Sequence, residues 1–235
     1  MSSANNITHW AKEHMRDAAG FITDGELGSA QNTALATYNR HRPRIVSTST
    51  AGDGGFDYAL PASWSAGLST IIDIEYPSGD QDPTILDRNA YRTYHNGVVE
   101  KLRFLEDSPT ATEAFIVRYT ASHAVGAGDD EAGTTIPACD VRAFAQLVAS
   151  VGLRQLAARS AQSRDATIDA DSVDYGEGPK TYNALADELA RSYREHVGVS
   201  DDDGEGGVRA AVAFHDLDVD LKWGEERLFH GRLWS

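Results

Sequence analysis

Two short stretches carry residue types found in catalytic loops. Ser63-Trp-Ser65-Ala-Gly67 has part of a serine nucleophile elbow, but it lacks the first glycine and the strand-turn-helix setting. Gly176-Glu-Gly-Pro-Lys180-Thr181 ends in the lysine-threonine pair of a phosphate-binding loop, but Pro179 replaces a glycine and removes a backbone donor. We interpret Ser65 as part of a surface turn and expect no nucleotide site. The sequence therefore predicts a protein that is not an enzyme.

Histidines and carboxylates are the residue types in this sequence that could bind a metal. The eight histidines lack ligand spacing, and His14 and His196 fall on apolar helix faces. An EF-hand loop counted from Asp216 would need glycine and glutamate where Leu221 and Arg227 stand. The clustered aspartates are Asp165, Asp169, Asp171, Asp174, Asp201, Asp202, Asp203, Asp216, Asp218 and Asp220. We interpret them as solvated acidic faces and expect neither a metal nor a cofactor.

The chain is strongly acidic. Thirty-six acidic and 21 basic residues give a formal net charge of -15, which argues against wrapping of nucleic acid. The only lysines are Lys12, Lys101, Lys180 and Lys222. A surface rich in aspartate and poor in lysine is typical of proteins exposed to high salt, so a halophilic source is a hypothesis.

Length and apolar content place further bounds. The 235 residues can bury one substantial core. A single cysteine, Cys139, excludes an intrachain disulfide and a thiolate zinc site, and it is interpreted as a small apolar residue at a helix start. No apolar run approaches the roughly 18 residues of a membrane span, and the first residues lack a signal-peptide pattern. We expect a soluble protein made in the cytoplasm.

Residues 140–197 organise the predicted fold as a helical hairpin. Two apolar stripes recur at three- and four-residue steps. The first is Val141, Phe144, Leu147, Val148, Val151 and Leu156, and the second is Tyr182, Leu185, Leu189, Tyr193 and His196 or Val197. Gly176, Gly178 and Pro179 break any continuous helix between them, and Pro179 suits the first turn of the second helix. We expect the two stripes to cover each other.

Two shorter helices are predicted before residue 44. A periodic run from Ile7 indicates a first helix that ends before Gly20. Thr23 and Glu26 have the spacing of a capping box at the start of the second. Its stripe is Leu27, Gln31, Ala34, Leu35 and Tyr38. Pro43 ends it.

From Arg44 the period changes to two, which indicates β structure. Residues 45–50 and 56–60 are predicted to pair as a hairpin, and residues 69–76 form a half-buried strand with Asp73 and Glu75 facing outward. The Asn96-Gly97 pair predicts a second hairpin between residues 90–95 and 98–106. In that hairpin Leu102 and Phe104 point inward. A last strand alternates Phe115, Val117 and Tyr119 with Ile116, Arg118 and Thr120.

The C-terminal residues have the pattern of a docking segment. Residues 200–207 are a charged, glycine-containing linker. After it, apolar residues alternate with three aspartates and Lys222, as in a strand that pairs with a partner. The candidate docking residues are Leu217, Val219, Leu221, Trp223, Leu228, Phe229, Leu233 and Trp234.

Together these patterns predict an α+β fold. Residues 1–43 are the N-terminal helices, and residues 44–124 an inserted antiparallel β-domain. Residues 125–199 are an acidic loop and the helical hairpin that complete the helical domain, and residues 200–235 are the linker and an extended docking arm.

Several phrases, in this order, resemble the head-tail connector (adaptor) proteins of tailed viruses, and a haloarchaeal host is a hypothesis. They are Asp24-Gly-Glu-Leu27, Ala34-Leu-Ala-Thr-Tyr-Asn-Arg-His-Arg-Pro-Arg44, Tyr58-Ala-Leu-Pro61, Ile74-Glu-Tyr-Pro77, Leu102-Arg-Phe-Leu105, Val117-Arg-Tyr-Thr120, Leu156-Ala-Ala-Arg-Ser-Ala-Gln162, Ala170-Asp-Ser-Val-Asp-Tyr175 and Tyr193-Arg-Glu-His196. The likeness covers about residues 8–197. Gly176-Glu-Gly-Pro179 departs from the charged helix formers usual there.

The resemblance implies a structural virion protein that forms a ring, usually of twelve copies, under the portal. Such a ring extends the DNA channel and joins capsid to tail, so the implied partners are further copies, the portal, the next neck or tail-completion protein and passing genomic DNA. The implied location is the virion neck, after assembly in the host cytoplasm and away from membranes.

Two other classes of function stay open. The β-domain with Trp64, Tyr91 and Tyr94, taken as exposed, is an alternative glycan- or ligand-binding module of a virion or surface protein. A hydrolase would depend on Ser65.

Overall fold

The computed structural model describes residues 4–126, 133–162 and 177–199. Over these residues the chain has an α+β fold, as the sequence predicts, with four α-helices, one 3-10 helix and two antiparallel sheets. The elements are α1 (Ala4–Met15), a 3-10 helix (Arg16–Phe21), α2 (Asp24–His41), β1 (Arg44–Ala51), β2 (Asp57–Ala59), β3 (Ile71–Glu75), β4 (Tyr91–His95), β5 (Glu100–Phe104), β6 (Ala114–Ala121), α3 (Val141–Gln162) and α4 (Glu177–Val197). The predicted C-terminal arm lies outside the described residues.

The start of α2 has the predicted capping box. The Thr23 hydroxyl accepts a hydrogen bond from the Glu26 amide at 3.2 Å, and the Glu26 carboxylate accepts one from the Thr23 amide at 2.8 Å. The helix ends at His41, two residues before Pro43, as predicted. The first helix differs from the prediction, since α1 gives way to the 3-10 helix after Met15.

Helix α3 is buried on more faces than the single predicted stripe. Phe144 and Val148 are buried as expected, but Ala145, Ala149 and Gly152 are buried as well. Small side chains let α1, α2 and α4 all pack against this helix. A Cβ atom at Gly152 would lie 3.0 Å from Ile22 Cδ1. The helix is therefore the centre of the helical part.

Helix α4 covers α3 with one face, as the matching stripes predict. Ala186, Leu189 and Tyr193 are buried against it, and at the outer rim Arg154 pairs with Asp187 at 2.9 Å. The buried residue at the end of the second stripe is Val197. Pro179 lies in the first turn of α4, where its missing amide costs no helical hydrogen bond.

The predicted hairpin between β1 and β2 is wrong. The sheet orders are β1-β6-β3 and β2-β5-β4, so these two strands lie in different sheets. The intervening loop follows the segment before β6, because Gly52 N donates to Glu113 O at 2.8 Å and Gly54 N to Pro109 O at 2.9 Å. Those bonds replace the turn that would have folded β2 back onto β1.

The second hairpin is confirmed. Strand β4 pairs with β5 from Tyr91↔Phe104 to His95↔Glu100, around Asn96-Gly97. The Asn96 side-chain oxygen accepts from the amides of Val98 and Val99, both at 2.9 Å, which fixes the turn. Leu102 and Phe104 are buried, as predicted.

Strand β3 breaks its predicted alternation. Its register with β6 shifts between Ile71 and Asp73, so that Ile71 packs on the aromatic core together with Ile74. Asp73 lies opposite Arg118 on the other face, but it is buried there instead of facing solvent. The buried Asp73 carboxylate accepts from Arg118 Nε at 2.6 Å. An ion pair thus occupies a position that the two-residue period assigns to solvent.

Both sheets contribute aromatic rings to one apolar core. Phe104 of β5 lies edge-on to Phe115 of β6 at 5.1 Å and to Tyr58 of β2 at 5.5 Å between ring centroids. The predicted inward residues of β6, Phe115, Val117 and Tyr119, are all buried in it. These contacts join the two sheets.

Candidate functional site

Two features of the described residues bear on function: a buried carboxylate that joins three helices, and the free edge of β1. The first is built around Asp140, the residue before α3, whose side chain is 1% exposed. Its carboxylate accepts hydrogen bonds from the Tyr38 hydroxyl at 2.7 Å, Arg42 Nη1 at 3.1 Å and His196 Nε2 at 3.0 Å. Burying a charge without partners costs free energy, and these three donors offset that cost for the Asp140 carboxylate.

The electrostatics keep this carboxylate ionised. Burial alone would raise the pKa of Asp140, but the hydrogen bonds from Tyr38 and His196 and the charge of Arg42 outweigh it, so the pKa lies below its ordinary value. Burial, followed by the hydrogen bond to Asp140, raises the pKa of Tyr38. Burial and the negative charge of Asp140 also raise the pKa of Tyr193. Both tyrosines are therefore neutral at ordinary pH, and Tyr38 donates its hydroxyl proton to Asp140.

Further bonds extend this cluster to the end of α4 and to the sheet. Arg42 Nη2 donates to Val197 O at 3.4 Å, and His41 Nδ1 lies 2.9 Å from the Tyr193 hydroxyl. Burial, with the charges of Arg194 and Arg40, lowers the pKa of His41. The amide of His123, just after β6, donates to Asn39 Oδ1 at 2.7 Å. The arrangement fixes where α2, α3 and α4 meet the β-domain, which is a structural role.

Sequence reasoning missed this cluster. Asp140 is only the first residue of the predicted hairpin in the sequence, while its partners Tyr38 and Arg42 lie 102 and 98 residues away. No local spacing links them. The phrases that carry the family resemblance do contain Tyr38, Arg42 and His196.

The second feature is the free edge of β1, which among the described strands pairs only with β6. Gly52 N donates to Glu113 O, so the even-numbered residues of β1 face β6 and the odd-numbered ones turn their backbone groups outward. The odd residues Ile45, Ser47, Ser49 and Ala51 also have exposed side chains. Residues 45–51 contain no proline, charge or bulge of the kind that protects edge strands.

The predicted docking residues Leu217, Val219, Leu221, Trp223, Leu228, Phe229, Leu233 and Trp234 lie outside the described residues, as do all ten clustered aspartates. Within the described ranges, no group of three or more histidine, cysteine or acidic side chains is placed to hold a metal. No helix in those ranges is long and apolar enough to span a membrane.

The residues proposed for other chemistry have structural contacts. The Ser65 hydroxyl lies 2.9 Å from that of Ser122. Trp64, Tyr91 and Tyr94, expected to be exposed, are half-buried. Trp64 Nε1 donates to Glu100 at 2.6 Å, and the Arg103 guanidinium lies 4.8 Å from the Tyr94 ring. The expectation of an exposed aromatic surface was wrong, because these rings pack into or beside the β core.

Cys139, His14 and His196 differ in their exposure to solvent. Cys139 is exposed, two residues before α3. His14 is half-buried, and burial lowers its pKa. The side chain of His196 is 42% exposed and bound to Asp140.

Comparison with known proteins gives structural neighbours only. No family profile and no curated protein matches the chain. One similar structure is from the neck of an empty gene transfer agent particle computed with C6 symmetry, at 16% identity over 77% of this chain and 87% of that chain, with a TM-score of 0.30. All three neighbours come from gene transfer agent particles.

The other two neighbours are as distant. One is from the neck of the native particle computed with C12 symmetry, at 16% identity over 76% of this chain and 85% of that chain, with a TM-score of 0.27. The other is from the virion of the native particle, at 16% identity over 80% and 92%, with a TM-score of 0.27.

Proposed function

We propose that this protein is a structural component of the neck of a tailed virus or virus-like particle. In this role it is a head-tail connector that forms a homo-oligomeric ring, usually dodecameric in the resembled family, beneath the portal. The ring continues the DNA channel and joins the capsid to the tail. It acts as a non-enzymatic virion component after assembly in the host cytoplasm.

One observation carries the proposal: the phrases that resemble connector proteins meet in space. Tyr38 and Arg42 come from the phrase before β1, whereas Tyr193 and His196 come from the last phrase of α4. Tyr38, Arg42 and His196 bind one carboxylate, and Tyr193 contacts the neighbouring His41. The resemblance therefore falls on residues that hold together the helix-sheet-helix plan.

The outer surface of the helical hairpin supports side-by-side packing of copies. The exposed face of α4 carries Asp187, Glu188, Arg191 and Glu195, so both signs of charge are available to a neighbouring copy. Repeated heterologous contacts of this kind close into a ring when the rotation between copies allows it.

The acidic surplus suits passage of DNA through a ring. A net charge of -15 per chain repels phosphate, so a negative channel wall lets DNA slide without the counterion release that drives tight binding. The proposed partners at the two sides are the portal, bound through part of residues 208–235, and the next neck or tail-completion protein.

The test is assembly with the portal protein of the same particle. Purified protein and portal rings are mixed, sedimented and imaged by negative-stain electron microscopy. We expect co-sedimentation and an added ring of density coaxial with the portal. Protein that stays monomeric and in the supernatant over a range of salt concentrations would refute the proposal, and a specific hit on a glycan array would then favour the ligand-binding alternative.

A further inference from the structure

We propose that residues 216–223 of one copy add as a strand to the free edge of β1 in the next copy. This contact would link neighbours around the ring, so the inference rests on the proposed function and names the surface through which copies join. Strand addition to an open edge gains main-chain hydrogen bonds along the whole strand.

The acceptor edge has the required geometry. Ile45, Ser47 and Ser49 turn their backbone groups away from β6. Two hydrogen bonds determine this direction: Gly52 N bonds Glu113 O between β1 and β6, and Thr120 N, opposite Ile45, bonds Thr70 O on the β3 side of β6. A neighbouring strand can pair with these groups without disturbing the ladder to β6. Because natural edges carry charges or prolines when they must stay unpaired, the absence of both from residues 45–51 favours an edge that is used.

The donor segment matches this edge in length and pattern. Strand β1 has eight residues, and the alternating run from Asp216 to Trp223 covers the same number of positions. In the register that sets its apolar residues beside Val46 and Thr48, they extend the inner face of the sheet, where Val46 packs on the aromatic core. The three aspartates then lie on the outer face, beside the serine hydroxyls of β1.

Charge does not oppose this pairing. Arg40 is exposed one residue before the end of α2 and brings a positive charge to the chain just before β1. No acidic side chain on β1 opposes the aspartates at 216, 218 and 220 on the outer face.

The tail starts near this edge and can reach a neighbour's. Val197, at the end of α4, is bonded to Arg42, which lies two residues before β1. Residues 200–215 can extend to roughly 50 Å. The later apolar residues Leu228, Phe229, Leu233 and Trp234 then remain for the portal.

Two full-length variants test the exchange in trans. Ser49→Pro removes an outward amide but leaves the β6 ladder intact, whereas L217N/V219N/L221N removes the apolar side of the tail. We expect wild type to assemble and each variant alone to remain monomeric by light scattering. The edge variant keeps an intact tail, and the tail variant keeps an intact β1 edge. When the two variants carry different tags and are mixed, we therefore expect them to co-purify.

Controls separate the possible failures. Ser49→Ala should assemble like wild type, and Ser47→Pro, which removes the other outward serine amide, serves as the edge variant if the Ser49→Pro chain does not fold, as judged by circular dichroism. Assembly of either blocked variant alone, or no co-purification of the folded pair, would overturn strand exchange. If the tail variant still forms rings with the portal, the inference fails and the connector function stands; if wild type forms none, the function itself fails.

Discussion

The hydroxyl of Tyr38 donates a 2.7 Å hydrogen bond to the buried carboxylate of Asp140, 102 residues further along the chain. Arg42 and His196 bind the same carboxylate, so α2, α3 and α4 are joined through one negative charge. A rigid junction of this kind suits a subunit that must repeat one geometry in every position of a ring.

Acid should destabilise the fold through Asp140. Its folded pKa lies below the ordinary value, because hydrogen bonds from Tyr38 and His196 and the charge of Arg42 outweigh burial. A group of this kind contributes stability that is present above its unfolded pKa and lost as pH falls through the folded one. We expect the melting temperature to decrease once the pH is lower than about 4, near the ordinary pKa of aspartate.

Asp140→Asn separates this group from other carboxylates. At pH 7 the variant should lose about 3–5 kcal/mol in the free energy of unfolding, the usual result of breaking a buried ion pair. Its melting temperature should also fall less steeply than that of wild type between about pH 5 and pH 3, the range in which aspartate carboxylates become protonated. Urea denaturation at pH 7 measures the free energy of unfolding, and thermal melts between about pH 5 and pH 3 measure the pH dependence. A variant as stable as wild type at pH 7 would contradict the role assigned to Asp140.

Gly52→Ala should destabilise the β-domain. A Cβ atom there would lie 2.5 Å from the carbonyl oxygen of Pro109 and closer still to that of Thr110, so the backbone would have to move. Gly28, exposed in α2 with open space around it, is the matched control. Gly28→Ala should gain about 0.5–1 kcal/mol from helix propensity. Thermal melts of both variants test the pair, and equal stability would refute the close approach.

Truncating the central ring of the β core should strongly destabilise the fold. Phe104 is 1% exposed and contacts rings from both sheets. Phe104→Ala should therefore cost about 3–5 kcal/mol by transfer and cavity terms. Val98, 82% exposed at the tip of the β4-β5 hairpin, is the control, and Val98→Ala should leave the free energy of unfolding unchanged. A small loss at Phe104 would mean that the two sheets do not depend on this contact.

Local signals predicted local structure well. Thr23 and Glu26 identified the start of α2, and Asn96-Gly97 identified the β4-β5 hairpin, because the determining contacts span few residues. Strand pairing was harder. The period of residues 45–51 indicates which side chains share a face but not which strand lies alongside, so β1 was paired with β2 when its partner is β6.

The buried polar residues escaped prediction for a related reason. Asp73 has the period of a solvent-facing residue, since no local pattern shows that its face of the sheet is also buried. Asp140 is only the first residue of the predicted hairpin until the fold brings Tyr38 to it. Both depend on contacts distant in sequence. The burial of α3 on several faces did have a signal, since Ala143, Ala145, Ala149 and Gly152 leave room for close neighbours.

Salt should stabilise this chain if its acidity reflects a halophilic source. A charge of -15 repels itself in dilute buffer, and at 1 M salt the Debye length falls to about 3 Å, which screens that repulsion. We expect the melting temperature to rise steadily from low to multimolar potassium chloride. An unchanged melting temperature would remove the halophile hypothesis and leave the channel as the explanation for the charge.

The central claim is that this chain functions as a ring at the neck of a particle. The most direct measurement is electron microscopy of the full-length protein mixed with its portal, with class averages viewed along and across the axis. The account predicts a coaxial second ring with rotational symmetry under the portal. Portal rings without added density, beside a monodisperse monomer, would contradict it.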